Sequence, residues 1–222
     1  MLFTKKHIVF ILLVILFLSF SSFNNPKDDW QLKKYENGIS VYTRDNENSA
    51  FKELKASTYL NASLSSTVAL LYDWDTYPLW VYKCGKSSTL KIINEKELIH
   101  YQTVLAPWPA ENRDFIVNIK IEQDKTTKVV TIRSYSIGQY IPVMPDHVRI
   151  TKFNASWVLT PQKNGTIEIV YQLFVDPGGY APAWIVNMAI VDGPYETLNN
   201  MKTWVAKEKY IKTKIPFIVE PN

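Results

Sequence analysis

Asp176-Pro177-Gly178-Gly179-Tyr180-Ala181-Pro182-Ala183-Trp184 hands a strand over to a helix. The Pro and Gly pair reverses the chain sharply. Pro182 suits a first helical turn, where a missing N–H leaves nothing unsatisfied. Beyond it, Trp184, Met188, Val191, Tyr195, Leu198, Met201 and Val205 recur at three- and four-residue intervals. That is one apolar stripe along a helix predicted over about Ala181 to Lys209. Pro194 lies inside it and predicts a kink or a break. A long helix leaving a strand so directly must lay its stripe across the sheet behind it.

The sheet is read upstream. Ser87–Ile93, Leu98–Leu105, Arg113–Glu122, Lys128–Tyr135, His147–Thr160 and Thr166–Val175 read as strands, with Lys163-Asn164-Gly165 as a hairpin turn. Closer to the start, Glu36-Asn37-Gly38 turns Trp30–Tyr35 into Ile39–Arg44, and Phe51–Leu60 follows as a further strand. A single helix interrupts this run, from Ser63 to Tyr72, with Leu64, Val68, Leu71 and Tyr72 at helical spacing and Ser63 or Ser65 as its cap. Asp73 to Pro78 ends it. Consecutive strands of hairpin length imply a mostly antiparallel meander. The class is α+β, in one domain over residues 30–210, followed by a tail over 211–222 expected to run along the surface.

Composition agrees. Of 222 residues, 46% are hydrophobic and 21% charged, which suits a globular chain. Aromatics reach 14%, so the rings fill a large core or line an apolar cavity. The net charge is +4, and Lys5 and Lys6 supply two of it, too little for a nucleic-acid footprint. The single Cys84 excludes an intrachain disulfide.

Residues 1–23 read as an address. Lys5, Lys6 and His7 precede the apolar run Ile8–Leu18, and Ser19, Phe20, Ser21 and Ser22 follow. This is the layout of an export signal, or of an uncleaved anchor through residues 8–20. Residues 24–29 form a polar linker. The domain is expected in the periplasm or outside the cell.

Catalytic signatures are sparse. His100 and His147 lie on predicted strands without metal-ligand spacing, and no G-x-S-x-G elbow or phosphate-cradling glycine loop occurs. No catalytic residue, metal ligand or cofactor is expected. In Ala106-Pro107-Trp108-Pro109-Ala110, two prolines exclude a sheet interior and imply a rigid apolar connection. On the strand that follows, Arg113, Phe115, Val117, Ile119 and Ile121 share the greasier face. Arg113 at its mouth calls for a carboxylate such as Asp114 or Glu111, or for the polar head of a ligand.

The ordered set of these features resembles the START lipid-transfer domain of the helix-grip fold. The resemblance rests on Gly38 to Tyr42, Trp80 and Cys84, Pro107-Trp108-Pro109, Asn112 to Phe115, His147-Val148-Arg149, Trp157, Asp176 to Gly179 with Pro182 and Trp184, and Tyr195 to Leu198. It covers residues 30 to 208. It implies a curved antiparallel sheet wrapped around the C-terminal helix and an internal cavity for one lipid, with no cofactor. Family members bind sterols, phospholipids or ceramides. Sterol-binding members carry a buried acid–base pair, but Ile119 stands where a second arginine is expected. On this resemblance the candidate lining is Trp108, Phe115, Val117, Tyr171, Trp184 and Met188, with Arg113 and Arg133 as polar contacts. Tyr140, Ile141, Val143 and Met144 are the candidate gate loop. The expected partners are a lipid or other apolar small molecule and a membrane surface, with the protein acting as a monomer. Two other readings stay open: an interaction module of the envelope with a filled core, and a helix-grip cyclase or hydrolase using a cavity acid or base.

Overall fold

The computed structural model describes residues 29–179, 181 and 183–221, without the side chains of 183–185, 187 and 188. The predicted address segment and the linker up to residue 28 lie outside the described residues.

Among the described residues ten strands build one sheet: β1 (Gln31–Glu36), β2 (Ile39–Asn46), β3 (Ser49–Leu60), β4 (Cys84–Asn94), β5 (Glu97–Val104), β6 (Asn112–Gln123), β7 (Val130–Ser136), β8 (His147–Ile150), β9 (Lys152–Pro161) and β10 (Ile167–Asp176). Their spatial order is β1-β2-β3-β10-β9-β7-β6-β5-β4. Every pair on that path is antiparallel, and β3 with β10 closes the first strands onto the last. At the first hairpin, Asn37 and Gly38 both take positive φ, 52° and 67°, as a two-residue turn matching strand twist demands.

The long strand predicted over 147–160 is two strands. Thr151 separates β8 from β9. The physical reason is a vacancy in the ladder. β7 pairs only with Val117–Gln123 of β6, so the Asn112–Phe115 end would be left bare, and β8 fills it in parallel register.

The α-helices among the described residues are α1 (Leu64–Leu71), α2 (Tyr77–Trp80), α3 (Ala183–Val205) and α4 (Glu208–Ile211). The Ser63 side chain caps α1 by accepting from the Ser66 N–H at 3.0 Å. Pro194 does not break α3, which continues through it. Gly193 beside it faces the Tyr82 ring. Tertiary packing holds together what local propensity would interrupt.

The interior has two parts. Leu198, Met201 and Val205 of α3, Leu64 and Val68 of α1, and Ile39, Val41 and Ile169 of the sheet form a solid core. Beneath the N-terminal half of α3 the described side chains leave a cavity. The tail runs along the surface, with most of residues 211–221 exposed, and is anchored there. Ile218 is buried, Gln123 bonds the Val219 main chain in both directions at 2.8 Å, and Glu220 accepts from the Leu64 and Ser65 N–H groups at 3.0 and 2.8 Å.

Candidate functional site: an apolar cavity under the C-terminal helix

A cavity of about 280 Å³ lies between the inner face of the sheet and the N-terminal half of α3. Strand alternation lines it. β6 sends in Arg113, Phe115, Val117 and Ile119, β9 sends in Phe153, Ala155 and Trp157, and β10 sends in Tyr171, Leu173 and Val175. The rings pair across strands: Phe115 stacks on Phe153 at 4.8 Å and Trp157 on Tyr171 at 4.1 Å. On the helix side the lining includes Ala189 and Gly193, too small to fill the space that Leu198 and Met201 occupy one and two turns on.

One wall is aromatic and partly polar. Trp74, Tyr77 and Trp80, from the turn after α1 and from α2, surround His100 of β5, with the Trp74 and His100 rings 4.4 Å apart. His100 is 1% exposed, and its Nε2 lies 3.2 Å from Ser87 Oγ. Burial drives its pKa down to about 3, against the smaller opposing effect of a hydrogen bond to the Gln102 side chain, so the imidazole is neutral. Burial likewise pushes the Tyr171 phenol far up. Serine and histidine at this distance have the spacing of a nucleophile and its base. Ser87 is nevertheless not among the lining residues, and no carboxylate is among the described lining residues to orient the ring. No cluster of His, Cys, Asp or Glu able to hold a metal occurs among the described residues. Cys84 is buried and its thiol is pushed up to about 12, a structural group.

The charged lining consists of Lys52, Lys83 and Arg113. The two lysines are exposed. Arg113 is buried and donates to the main-chain carbonyls of Pro177 and Gly178, each at 3.4 Å, and to that of Glu111. It ties β6 to the turn that launches α3. The expected ion pair with Asp114 does not form, because neighbouring strand residues face opposite ways. Asp114 faces outward and binds Arg149 in a fork, at 2.7 Å to Nε and 2.9 Å to Nη2. Burial acts to raise its pKa, but the hydrogen bonds and charge of Arg149 outweigh this and hold the carboxyl below its usual range.

The remaining candidates divide. Phe115, Val117 and Tyr171 meet in the cavity with Arg113. The Trp184 and Met188 side chains lie outside the described residues. Trp108 is not a lining residue: it is 90% exposed at the tip of a turn in which Ala110 N–H donates to Pro107 C=O at 3.0 Å. Arg133 is also outside, paired with Glu122 at 2.9 Å, because Ile132 and Ser134 on either side take the inward positions. The expected gate loop does not border the cavity. Ile141 packs on Ile99, Tyr101 and Ile116 on the outer face of β5 and β6, while Tyr140, Val143 and Met144 are exposed. Arg149 pins this loop by donating to the carbonyls of Ile141 and Pro142, both at 3.1 Å. Sequence reasoning missed His100, Trp74, Tyr77 and Trp157 as lining. The available signal was the two-residue alternation of His100, Gln102 and Val104 on β5.

A curved antiparallel sheet holding a C-terminal helix over an apolar cavity defines a protein of the helix-grip class. Comparison narrows the class. Residues 22–212 match the START domain, and the chain belongs to that family. It is similar to an uncharacterized protein of Pseudomonas aeruginosa, 30% identical over 185 residues, with 83% of this chain and 90% of that one covered. It is also similar to the phosphatidylcholine transfer protein of Rattus norvegicus, 24% identical over 184 residues, with 78% and 82% covered. Among solved structures, the STAR-related lipid transfer protein from Xanthomonas axonopodis superposes with a TM-score of 0.75 at 30% identity. That match covers 81% of this chain and 100% of that one.

Proposed function

We propose that this protein binds one lipid or other apolar small molecule in the cavity under α3, for transfer or sensing outside the cytoplasm. The observation that carries the reading is the cavity itself, which replaces a solid core beneath half of α3. Each methylene moved from water into such a space contributes about 0.8 kcal/mol, so affinity needs no directed chemistry. Membership of the START family and the lipid-transfer names of its relatives support the same reading. The basic and apolar start of the chain supports export, a membrane surface is the natural donor or acceptor of the lipid, and the domain acts as a monomer.

The test is native mass spectrometry of the purified protein, with lipid extraction from the same preparation. A lipid retained at one per chain is the expected result. Ala155 lines the cavity, and Ala155→Trp should abolish retention while the protein stays folded. A wild-type protein that is empty and takes up no fluorescent sterol, fatty acid or phospholipid would sink the reading. The Ser87–His100 pair favours a hydrolytic enzyme as second reading. The low basicity of the ring weakens it, and acyl-ester turnover lost in Ser87→Ala would restore it.

A further inference from the structure

The sheet has two ends, and they differ. Antiparallel pairing puts the starts of β1, β3, β4, β6 and β9 at one end, together with the finishes of β2, β5, β7 and β10. Three connections at this end line the cavity: residues 81–83 before β4, residues 105–107 after β5, and Pro177 with Ala181 after β10. The opposite end is filled. Leu60, Ile121, Val130, Leu159 and Ile167 are buried there in the core, and none of these five lines the cavity.

The cavity's end carries an apolar tip. Leu105 lines the cavity and is exposed as well, and the exposed Trp108 stands three residues on. Val143 and Met144, also exposed, precede β8, which pairs its His147 with Asn112 at the start of β6. Exposed apolar side chains occur elsewhere on the surface, Tyr35 and Ile92 among them. Those at this end adjoin the cavity.

The chain also enters the fold here. Trp30 precedes β1, and its ring meets Arg44 Cζ at 4.5 Å and Lys55 Nζ at 4.7 Å, which fixes the entry point. Upstream, Ile8 to Phe23 is a run of sixteen residues without a charge. Phe20 and Phe23 interrupt the small residues that a signal cleavage site needs. A stretch slightly shorter than a bilayer is accommodated by local thinning and by flanking lysines, here Lys5 and Lys6, that reach the headgroups. Five residues separate Phe23 from Asp29, a reach of at most about 20 Å. β3 alone, at 12 residues, is about 40 Å long. A tether that short brings the cavity's end toward the bilayer and keeps the other end away.

We propose that residues 8–23 remain on the protein as a membrane anchor and that the end bearing Leu105 and Trp108 docks on the bilayer holding that anchor. This rests on the lipid-binding reading above, since the docked face is the one whose connections line the cavity. The anchor makes a small contact sufficient. One tryptophan and a few aliphatic side chains hold a bilayer weakly by themselves, whereas a short tether keeps them at an effective concentration of about millimolar. The protein therefore exchanges lipid with the membrane that carries it.

The test uses the full-length protein reconstituted in dioleoyl phosphatidylcholine vesicles that contain a phosphatidylcholine with a diazirine on one acyl chain. Irradiation attaches this lipid to the residues it touches, and peptide mass spectrometry maps the adducts. The turn at residues 105–109 should be labelled severalfold more than the exposed hairpin Lys163-Asn164-Gly165 at the opposite end. Trp108→Asp puts a charge at the tip and should cut the labelling of Leu105 severalfold at unchanged Tm. The intact mass of protein taken from cell membranes should include residues 8–23. A chain cut after the apolar run would overturn the proposal, and so would a hairpin labelled as heavily as the turn. Both results leave lipid binding intact. A labelled turn on a protein that retains no lipid, and takes up no fluorescent sterol, fatty acid or phospholipid, would sink the lipid-binding reading and keep the docked orientation.

Discussion

His100 should make the stability of this protein depend on pH in a defined window, and the size of the effect follows from its burial. In the unfolded chain the imidazole titrates near its ordinary value of 6.5, whereas in the fold it titrates at about 3. Between those values the unfolded state carries the extra proton, so stability is lost as pH falls from 6.5 toward 3. The full contribution is present above the unfolded value. The slope reaches about 1.4 kcal/mol per unit of pH well inside the window, so lowering pH from 7 to 5 removes about 2 kcal/mol through this residue. The assay is urea unfolding at pH 7, 6 and 5 for the wild type and for His100→Gln. Carboxylates titrate alike in both proteins and cancel in the difference. The wild type should lose about 2 kcal/mol more than the variant between pH 7 and 5. Parallel stability profiles would show that His100 gains its proton as easily in the fold as in the unfolded chain. A neutral, desolvated imidazole in the cavity wall would then be refuted.

Other outcomes follow from single contacts. Arg149→Met leaves the wholly buried Asp114 carboxylate without its counter-charge, with the Tyr101 hydroxyl still donating to it. It should cost about 3–5 kcal/mol and speed proteolysis of residues 137–146, and Asp114→Leu in the same chain should restore part of the loss. Glu220→Ala removes the tail carboxylate from the α1 N-terminus and should cost about 1 kcal/mol, read as a fall in Tm of about 2–4 °C. Trp108→Ala should change neither probe uptake nor stability, the latter staying within about 0.5 kcal/mol, because the ring is 90% exposed and outside the cavity. A loss of uptake in that variant would mean that the turn closes over the cavity.

The α+β class, the succession of strands and the closing helix are legible in the chain alone. Those features come from signals local to the chain: two-residue alternation in the strands, the stripe from Val191 to Val205, and the Asn37-Gly38 and Asp176 to Gly179 turns. The same alternation put Arg113, Phe115 and Val117 on one face. Tertiary structure decided the rest. Whether an inward face meets packed side chains or open space depends on what lies opposite, and only the crossing of α3 over the sheet separates the solid core at Leu198 from the cavity at Ala189. Arg133 and Trp108 have the composition of lining residues, but ladder register turns the first outward and the turn geometry exposes the second. His100 and Arg149 went unrecognised in their roles for the same reason. A histidine on a strand reads alike at a rim or inside a cavity, and an arginine after a loop says nothing of the Asp114 that awaits it 35 residues upstream. Partners that distant in sequence leave no local pattern. They are fixed by strand pairing, which places β8 beside β6 and brings the two charges together.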